Sequence, residues 1–240
     1  MRALPFLLLT IVLAAHAADR SGGSLAVTSD YRLEGISLSA GSASVQAELH
    51  LQQPTENRGA WYGGLWAASV RLPSQSQSSP QLGAFIGRQW AMGQDWMGSA
   101  VISHYAHPWN ALLRHYDYDE LTVEASFRDR LRFTAAYSPN TDLYSQRNHW
   151  GFQEDRRSLA YEVSGSLPVY GPVAASAGAG YRDVTSFFNT GYWYGSAGLT
   201  YDRGRLHASV LRIQTDRTAQ RIFYRDLVDP AWVGTLLWTF

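Results

Sequence analysis

Asp119–Ser138 reads DELTVEASFRDRLRFTAAYS, and its alternation decides the fold. Leu121, Val123, Ala125 and Phe127 alternate with Glu120, Thr122, Glu124 and Ser126. Beyond the turn, Leu131, Phe133, Ala135 and Tyr137 alternate with Arg130, Arg132 and Thr134. Successive side chains of a strand point to opposite faces, so a period of two collects the apolar residues on one face. Two such runs meeting at Phe127-Arg128-Asp129-Arg130 predict an antiparallel pair with one apolar and one polar face.

The same pattern extends in both directions. Val45, Ala47, Leu49 and Leu51 alternate with Gln46, Glu48, His50 and Gln52, and Leu25, Val27, Tyr31 and Leu33 oppose Thr28, Asp30 and Arg32. Continued along the chain, it predicts about twelve strands of roughly 9–12 residues, the length a tilted membrane strand requires. They fall at Ser24–Leu33, Ala43–Gln52, Trp61–Leu72, Gln81–Met92, Trp96–Ala106 and Asp119–Arg128. The others fall at Arg130–Ser138, Ser158–Leu167, Val173–Val184, Tyr192–Asp202, Arg205–Thr215 and Ala231–Phe240. In Arg205–Thr215 the phase changes between Val210 and Leu211, which predicts a bulge. No stretch reads as a long amphipathic helix.

The links alternate between short and long. Short ones lie at Phe127–Arg130, Pro168–Pro172 and Asp202–Gly204; long ones lie at His107–Tyr118, Pro139–Arg157, Thr185–Gly191 and Asp216–Pro230. The link near Gln53–Ala60 is longer than a tight turn. This asymmetry predicts tight periplasmic turns, longer outer loops and, with an even strand number, both termini on the periplasmic side.

The two ends of the chain bear on compartment. Arg2, the apolar run Leu4–Ala15 and the small residues of Ala15-His16-Ala17 have the layout of a secretory signal cut after Ala17. The run is too short to span a bilayer as a helix. At the other end Trp232, Leu236, Trp238 and Phe240 share a strand face. Leu236, Trp238 and the terminal Phe240 resemble the signal by which barrel-assembly machinery recognises outer-membrane proteins. An open sheet edge in hydrocarbon has no hydrogen-bond partner, so the last strand should pair with the first, with these three residues facing outward.

Composition narrows the function classes. Twenty basic residues balance 20 acidic ones, which argues against a nucleic-acid partner. All the basic residues are Arg, whose planar fork suits carboxylate pairing in a polar lumen. There is no cysteine, so neither a disulfide framework nor a thiol site is available. Together these features predict an all-β chain: residues 1–17 a cleaved signal, and residues 18–240 a single closed antiparallel transmembrane β-barrel of about 12 strands (10–14). Its expected location is the cell outer membrane of a Gram-negative bacterium. The expected partners are outer-membrane lipid, periplasmic chaperones and assembly machinery during biogenesis, and small polar solutes; no cofactor is expected.

Several segments resemble the TorF family of proposed porins. TSDYRLEGIS at Thr28–Ser37 resembles that family's opening motif, WYGGLWAASV at Trp61–Val70 its third strand, and YDYDEL at Tyr116–Leu121 an acidic approach to a later strand. The resemblance runs with gaps from the first strand to the C-terminus and implies an outer-membrane barrel with a channel role. It brings no catalytic residues. Glu34 departs from the basic residue expected before Gly35, and QLGAFIG at Gln81–Gly87 lacks the acidic residue associated with the fourth strand.

The candidate pore lining is Asp30, Arg32, Glu48, His50, Arg71, Glu124, Arg132, Glu162 and Arg182. These residues read equally as an electrostatic lining for small solutes or as internal ion pairs that fill the barrel. Tyr31, Trp61, Tyr62, Trp66, Tyr137, Trp193, Tyr194, Trp232 and Trp238 read as an interface girdle, since each ring is part apolar and part hydrogen-bonding. His104, His107 and His115 with Asp117 and Asp119 match no metal-site spacing, and no metal is expected. Ser103-His104 invites comparison with lipid-cleaving enzymes, but adjacent strand residues face opposite ways and there is no Gly-x-Ser-x-Gly elbow. The favoured reading is a non-enzymatic channel for small hydrophilic solutes. The alternatives are a non-conducting structural or surface-binding barrel using the Pro139–Arg157 loop, and a lipid-modifying enzyme.

Overall fold

The computed structural model describes residues 21–55, 58–71, 73, 75–110, 114–141 and 157–240. The expected signal segment and most of the Pro139–Arg157 loop lie outside them. The chain begins with β1 (Ser21–Thr28), followed by a small hairpin of β2 (Arg32–Leu33) and β3 (Ile36–Ser37). Next come β4 (Ser44–Thr55), β5 (Gly59–Val70), β6 (Ser79–Ala91), β7 (Trp96–Ala106), β8 (Tyr118–Phe127) and β9 (Leu131–Ser138). The last five are β10 (Ser158–Tyr170), β11 (Val173–Asp183), β12 (Gly191–Arg203), β13 (Leu206–Thr215) and β14 (Ala231–Thr239). With the hairpin set aside, twelve strands form one closed barrel in which each pairs with its chain neighbours and β1 pairs with both β4 and β14.

The β1–β14 seam shows why the sheet closes. Leu25 pairs with Trp238 and Val27 with Leu236, and all four are exposed on the outer face. Beyond the strand end Gly23 and Phe240 exchange two backbone hydrogen bonds of 3.0 Å each. Left open, this edge would present a row of bare amides and carbonyls, each costing several kcal/mol in hydrocarbon. Around the barrel Leu49, Leu65, Ile102, Val163 and Leu199 are exposed, while the alternate residues are buried inside. A wall with its apolar side out and its polar side in is the arrangement of a membrane barrel.

Local chemistry explains the turns. Gly204-Arg205 joins β12 to β13 with Gly204 at φ 63°, a left-handed conformation that glycine adopts without a Cβ clash. The link expected at Gln53–Ala60 shortens to residues 56–58, because pairing continues through Pro54–Ala60 and Thr55–Gly59. At the opposite rim the longer loops carry α1 (Thr185–Phe188), α2 (Arg217–Ile222) and α3 (Arg225–Val228). Asp216 caps α2, its carboxylate accepting from the Thr218 and Ala219 amides at 2.9 Å. Val184, Phe187, Phe188, Ile222, Phe223, Leu227 and Val228 bury one another there as an outer cap.

Two expectations about strands are corrected. The first strand stops at Thr28, not Leu33, because the chain turns inward at Ser29-Asp30. The β13 register runs without a shift from Tyr194–Thr215 to Arg203–Leu206, so there is no bulge after Val210. Instead the faces exchange character, with Leu211 and Ile213 buried inside and Arg212 and Gln214 outside. The bulge lies in β10 between Pro168 and Tyr170, where proline cannot donate to the ladder.

Candidate functional site

The functional candidate is the barrel interior, and the segment that shapes it is the β2–β3 hairpin. Leu33 pairs with Ile36, leaving Glu34-Gly35 as a two-residue turn with φ 50° and 83°. Two positive φ angles make the tight primed turn that matches strand twist. Asp30 knots the base. Its carboxylate pairs with the Arg32 guanidinium at 2.6 Å and accepts from the Ser39 hydroxyl at 3.0 Å, and Ser39 in turn accepts from the Tyr31 amide at 2.9 Å. From the other side Arg71 donates its amide to Leu38 O at 2.8 Å and its guanidinium to Ala40 O at 3.2 Å.

So braced, the hairpin crosses the lumen. Tyr31 packs against Tyr62, Trp66 and Phe85 of β5 and β6. Ile36 enters the outer cap, and Gly35 sits so close to Tyr194 and Thr215 that a Cβ there would meet them at 2.9 and 2.6 Å. Glu34, at the tip, forms a buried ion pair with Arg182 on β11, and Arg182 also donates to the Ser158 hydroxyl at 3.2 Å. A segment rooted between β1 and β4 is thus latched to the far wall.

The interior has two contrasting walls. On β5 and β6 large rings lie flat over cross-strand glycines: Trp66 over Gly83, Tyr62 over Gly87 and Phe85 over Gly64. Tyr105 extends this wall and stacks on Tyr118 at 4.3 Å between ring centres. On β8 to β12 the inward positions are mostly small and polar, with Ser126, Thr134, Ser164, Ser166, Ser176, Ser196 and Thr200 all buried. Charged residues punctuate that wall. Cross-strand register aligns Glu124, Thr134 and Glu162 in one row, and Arg132 pairs with Glu124 at 3.2 Å.

Counting charges inside the barrel leaves an excess of acid. Asp30 has Arg32, Glu34 has Arg182, Glu124 has Arg132, Glu48 has His50 at 2.9 Å, and Asp202 has His207 at 2.7 Å. Glu120 and Glu162 have no dedicated cation of their own among the described residues. Glu120 accepts from the Thr122 hydroxyl at 3.1 Å, and both carboxylates stand within electrostatic reach of Glu34.

The nine pore-lining candidates divide by position. Glu48, His50, Glu124, Arg132, Glu162 and Arg182 point inward from strands. Asp30 and Arg32 are corrected from strand positions to the hairpin's internal knot, and Arg71 braces the hairpin at the outer rim. Among the girdle candidates, Trp61, Tyr137, Trp193, Trp232 and Trp238 are exposed on the outer wall. Tyr31, Tyr62, Trp66 and Tyr194 are corrected: they lie inside, with Trp66 only 4% exposed. The glycines opposite Tyr62 and Trp66 leave room for rings inside, and in β5 the outward positions fall to Trp61, Leu65 and their neighbours.

Sequence reading missed Glu34, Glu120, Tyr105, Tyr118 and Tyr192. Glu120 was visible in the alternation; Glu34 was concealed because Tyr31 and Leu33 continue the period of β1 across a turn. Ser103 faces inward and His104 outward, where His104 meets Asp119 at 2.8 Å. His107 pairs separately with Asp117 at 2.9 Å in the outer loop, where burial pushes its imidazole down against the pull of that carboxylate. Among the described residues no three His, Cys, Asp or Glu side chains group to hold a metal ion.

Over residues 15–240 the sequence matches the family described as "Bacterial protein of unknown function (Gcw_chp)". The chain belongs to the Gcw_chp family. This match does not carry the TorF name. No curated protein matches the Gcw_chp chain. Among solved structures it is similar to one described as "NanC porin structure in rhombohedral crystal form", with a TM-score of 0.55 and 10% identity over 90% of this chain and 98% of that one. It is also similar to a chain from work described as "Unveiling the Mechanism Behind the in-meso Crystallization of Membrane Proteins", with a TM-score of 0.58 and 9% identity over 92% and 83%. At such identities the likeness is one of fold, and that fold is the outer-membrane β-barrel.

Proposed function

We propose that this Gcw_chp protein sits in the outer membrane and passes small hydrophilic solutes, cations in preference to anions, along a narrow interior constricted by the β2–β3 hairpin. The carrying observation is the hairpin latched across an acid-rich lumen by Glu34 and Arg182. A constriction bordered by fixed carboxylates lowers the barrier for a cation and raises it for an anion. Glu48 and Asp202, whose partners His50 and His207 carry charge only when protonated, support that sign.

A second reading, a barrel that conducts nothing, is favoured by the burial of Glu34, Glu162 and Arg182, which leaves little open water beside the latch. Planar-bilayer recording separates the two. The wild-type protein is expected to give small conductance steps with a reversal potential of cation-selective sign in a KCl gradient. Glu34→Gln removes one partner of a buried pair and leaves the Arg182 charge uncompensated, a loss of about 3–5 kcal/mol that frees the hairpin tip. Its conductance is expected to rise severalfold. Heat-modifiable, inserted protein that stays silent as both wild type and Glu34→Gln, with no solute flux into liposomes, would overturn the channel and leave the structural reading standing.

A further inference from the structure

The outer wall carries a feature the channel does not use. Outward residues of β13 run Leu206, Ala208, Val210 and then Arg212 and Gln214, so a cation and an amide follow three apolar positions. On the adjacent β12, and on β11 beyond it, the outward positions at that level are small: Gly195 and Ala197 on β12, Ala177 and Ala179 on β11. The result is a hollow of about 470 Å³. Ala179, Gly195 and Ala197 line it, with Trp193 and Arg212 beside them.

Position and charge indicate what fits there. Register sets Arg212 beside Ala197 and Trp232, in the outer half of the barrel, and its guanidinium lies 6.0 Å from the Trp232 ring centre. Trp232 is 62% exposed and Trp193 60%, so both project into the surrounding phase. Among the described residues Arg212 has no carboxylate partner. Asp216, at the rim of the hollow, is occupied in capping α2. An arginine on a lipid-facing wall costs up to about 2–4 kcal/mol at mid-membrane and little near the interface. A lipid phosphate would meet it there with bidentate, charge-assisted hydrogen bonds.

We infer that this hollow binds one phosphate-bearing, acylated glycolipid of the outer leaflet. An acyl chain lies on the Ala179–Gly195–Ala197 floor, Arg212 holds the phosphate, and Gln214 donates beside it. The inference rests on the outer-membrane reading, because only that membrane puts such a lipid against this half of the barrel. It is independent of conduction.

The test uses the folded full-length barrel in non-ionic detergent, titrated with diphosphorylated lipid A and read by native mass spectrometry. One lipid per barrel is expected to remain bound. Dephosphorylated lipid A, and Arg212→Gln with the intact lipid, are each expected to bind about tenfold more weakly, as loss of a charge-assisted contact implies. Ala197→Leu, which fills the floor, is expected to weaken binding while heat-modifiable mobility is kept. Arg88→Gln, which removes the arginine stacked 5.4 Å from Trp61 at the opposite end, is expected to change nothing. Equal binding by wild type and Arg212→Gln, equal loss in Arg88→Gln, or displacement of the lipid by inorganic phosphate would each overturn the site. Conductance recorded on the same preparation shows whether the channel reading stands or falls separately.

Discussion

The two walls of the interior solve the same problem in opposite ways. Both must fill the inside of a twelve-stranded barrel. The β5–β6 wall uses large rings laid over glycines, so its packing is interlocked: Trp66 can lie flat only because Gly83 has no side chain. The β8–β12 wall uses small buried hydroxyls and paired charges in place of large rings. The hairpin needs both, since Tyr31 settles on the rings while Glu34 reaches the charges. The difference predicts that stability and the proposed conduction are separable, one concentrated on each wall.

The largest effect should come from breaking the interlocked wall. A Cβ at Gly83 would lie 2.6 Å from Cδ1 of the Trp66 indole and closer still to its Nε1. Gly83→Val therefore expels the ring, and with it the support for Tyr31. The expected cost is about 4 kcal/mol or more, in the tail reserved for overpacked sites. It should appear as a lowered urea midpoint for the heat-modifiable form. Gly234→Val is the matched control, because nothing lies within 4 Å of a Cβ there, and its expected effect is within about 1 kcal/mol. Equal losses in the two variants would mean that ring-on-glycine packing does not distinguish the walls.

How much of this was legible in the sequence follows from the same contrast. The strand set, the β1–β14 closure and the outward Leu236 and Trp238 were readable, because a period of two and the need to pair every edge leave little choice. The polar wall was readable for the same reason, and Glu48, Glu124, Arg132, Glu162 and Arg182 all point inward. The aromatic wall was not. Tyr62 and Trp66 look like girdle residues until the glycines they cover are known, and those lie on another strand. The hairpin was hidden because Tyr31 and Leu33 keep the β1 period while the backbone turns at Ser29-Asp30. Its one local signal was Gly35 after Glu34, weaker than the Asn-Gly or Asp-Gly pairs that usually mark such turns. On β13 the rule that apolar means outward failed because Leu211 and Ile213 pack inside with Val233.

A smaller effect on stability, with a clear effect on the proposed conduction, should follow from altering the polar wall. Thr134 stands between Glu124 and Glu162 in one cross-strand row and is buried. Thr134→Val keeps its shape and removes its hydroxyl. Stability is expected to change by no more than about 1 kcal/mol, the scale of a single neutral hydrogen bond. Cation conductance should fall, because an apolar patch now separates the two carboxylates. A variant that loses stability as Gly83→Val does, or that conducts as the wild type does, would show that the walls do not divide the work in this way.

The smallest effect concerns the junction of the walls at the outer rim, where the loop from β7 to β8 joins the ring side to the polar side. His107 is buried there, and Asp117 accepts both its backbone amide at 2.7 Å and its Nδ1 hydrogen bond at 2.9 Å. Burial outweighs the carboxylate, so the imidazole is held below its ordinary value of about 6.5. The opened loop therefore binds a proton more readily than the closed one. Where the open form binds more protons, stability rises with pH, so the closed loop has its full stability above about pH 6.5 and loses it as pH falls toward the depressed value. Hydrogen exchange of the loop amides between His107 and Asp117 should accelerate across that window, while the barrel amides of β7 and β8 stay protected. His107→Gln should flatten the dependence, since it cannot titrate. If the acceleration persisted in that variant, or spread equally into both strands, the junction would not be the titrating element, and the outer rim would respond to acid as a single body with the walls beneath it.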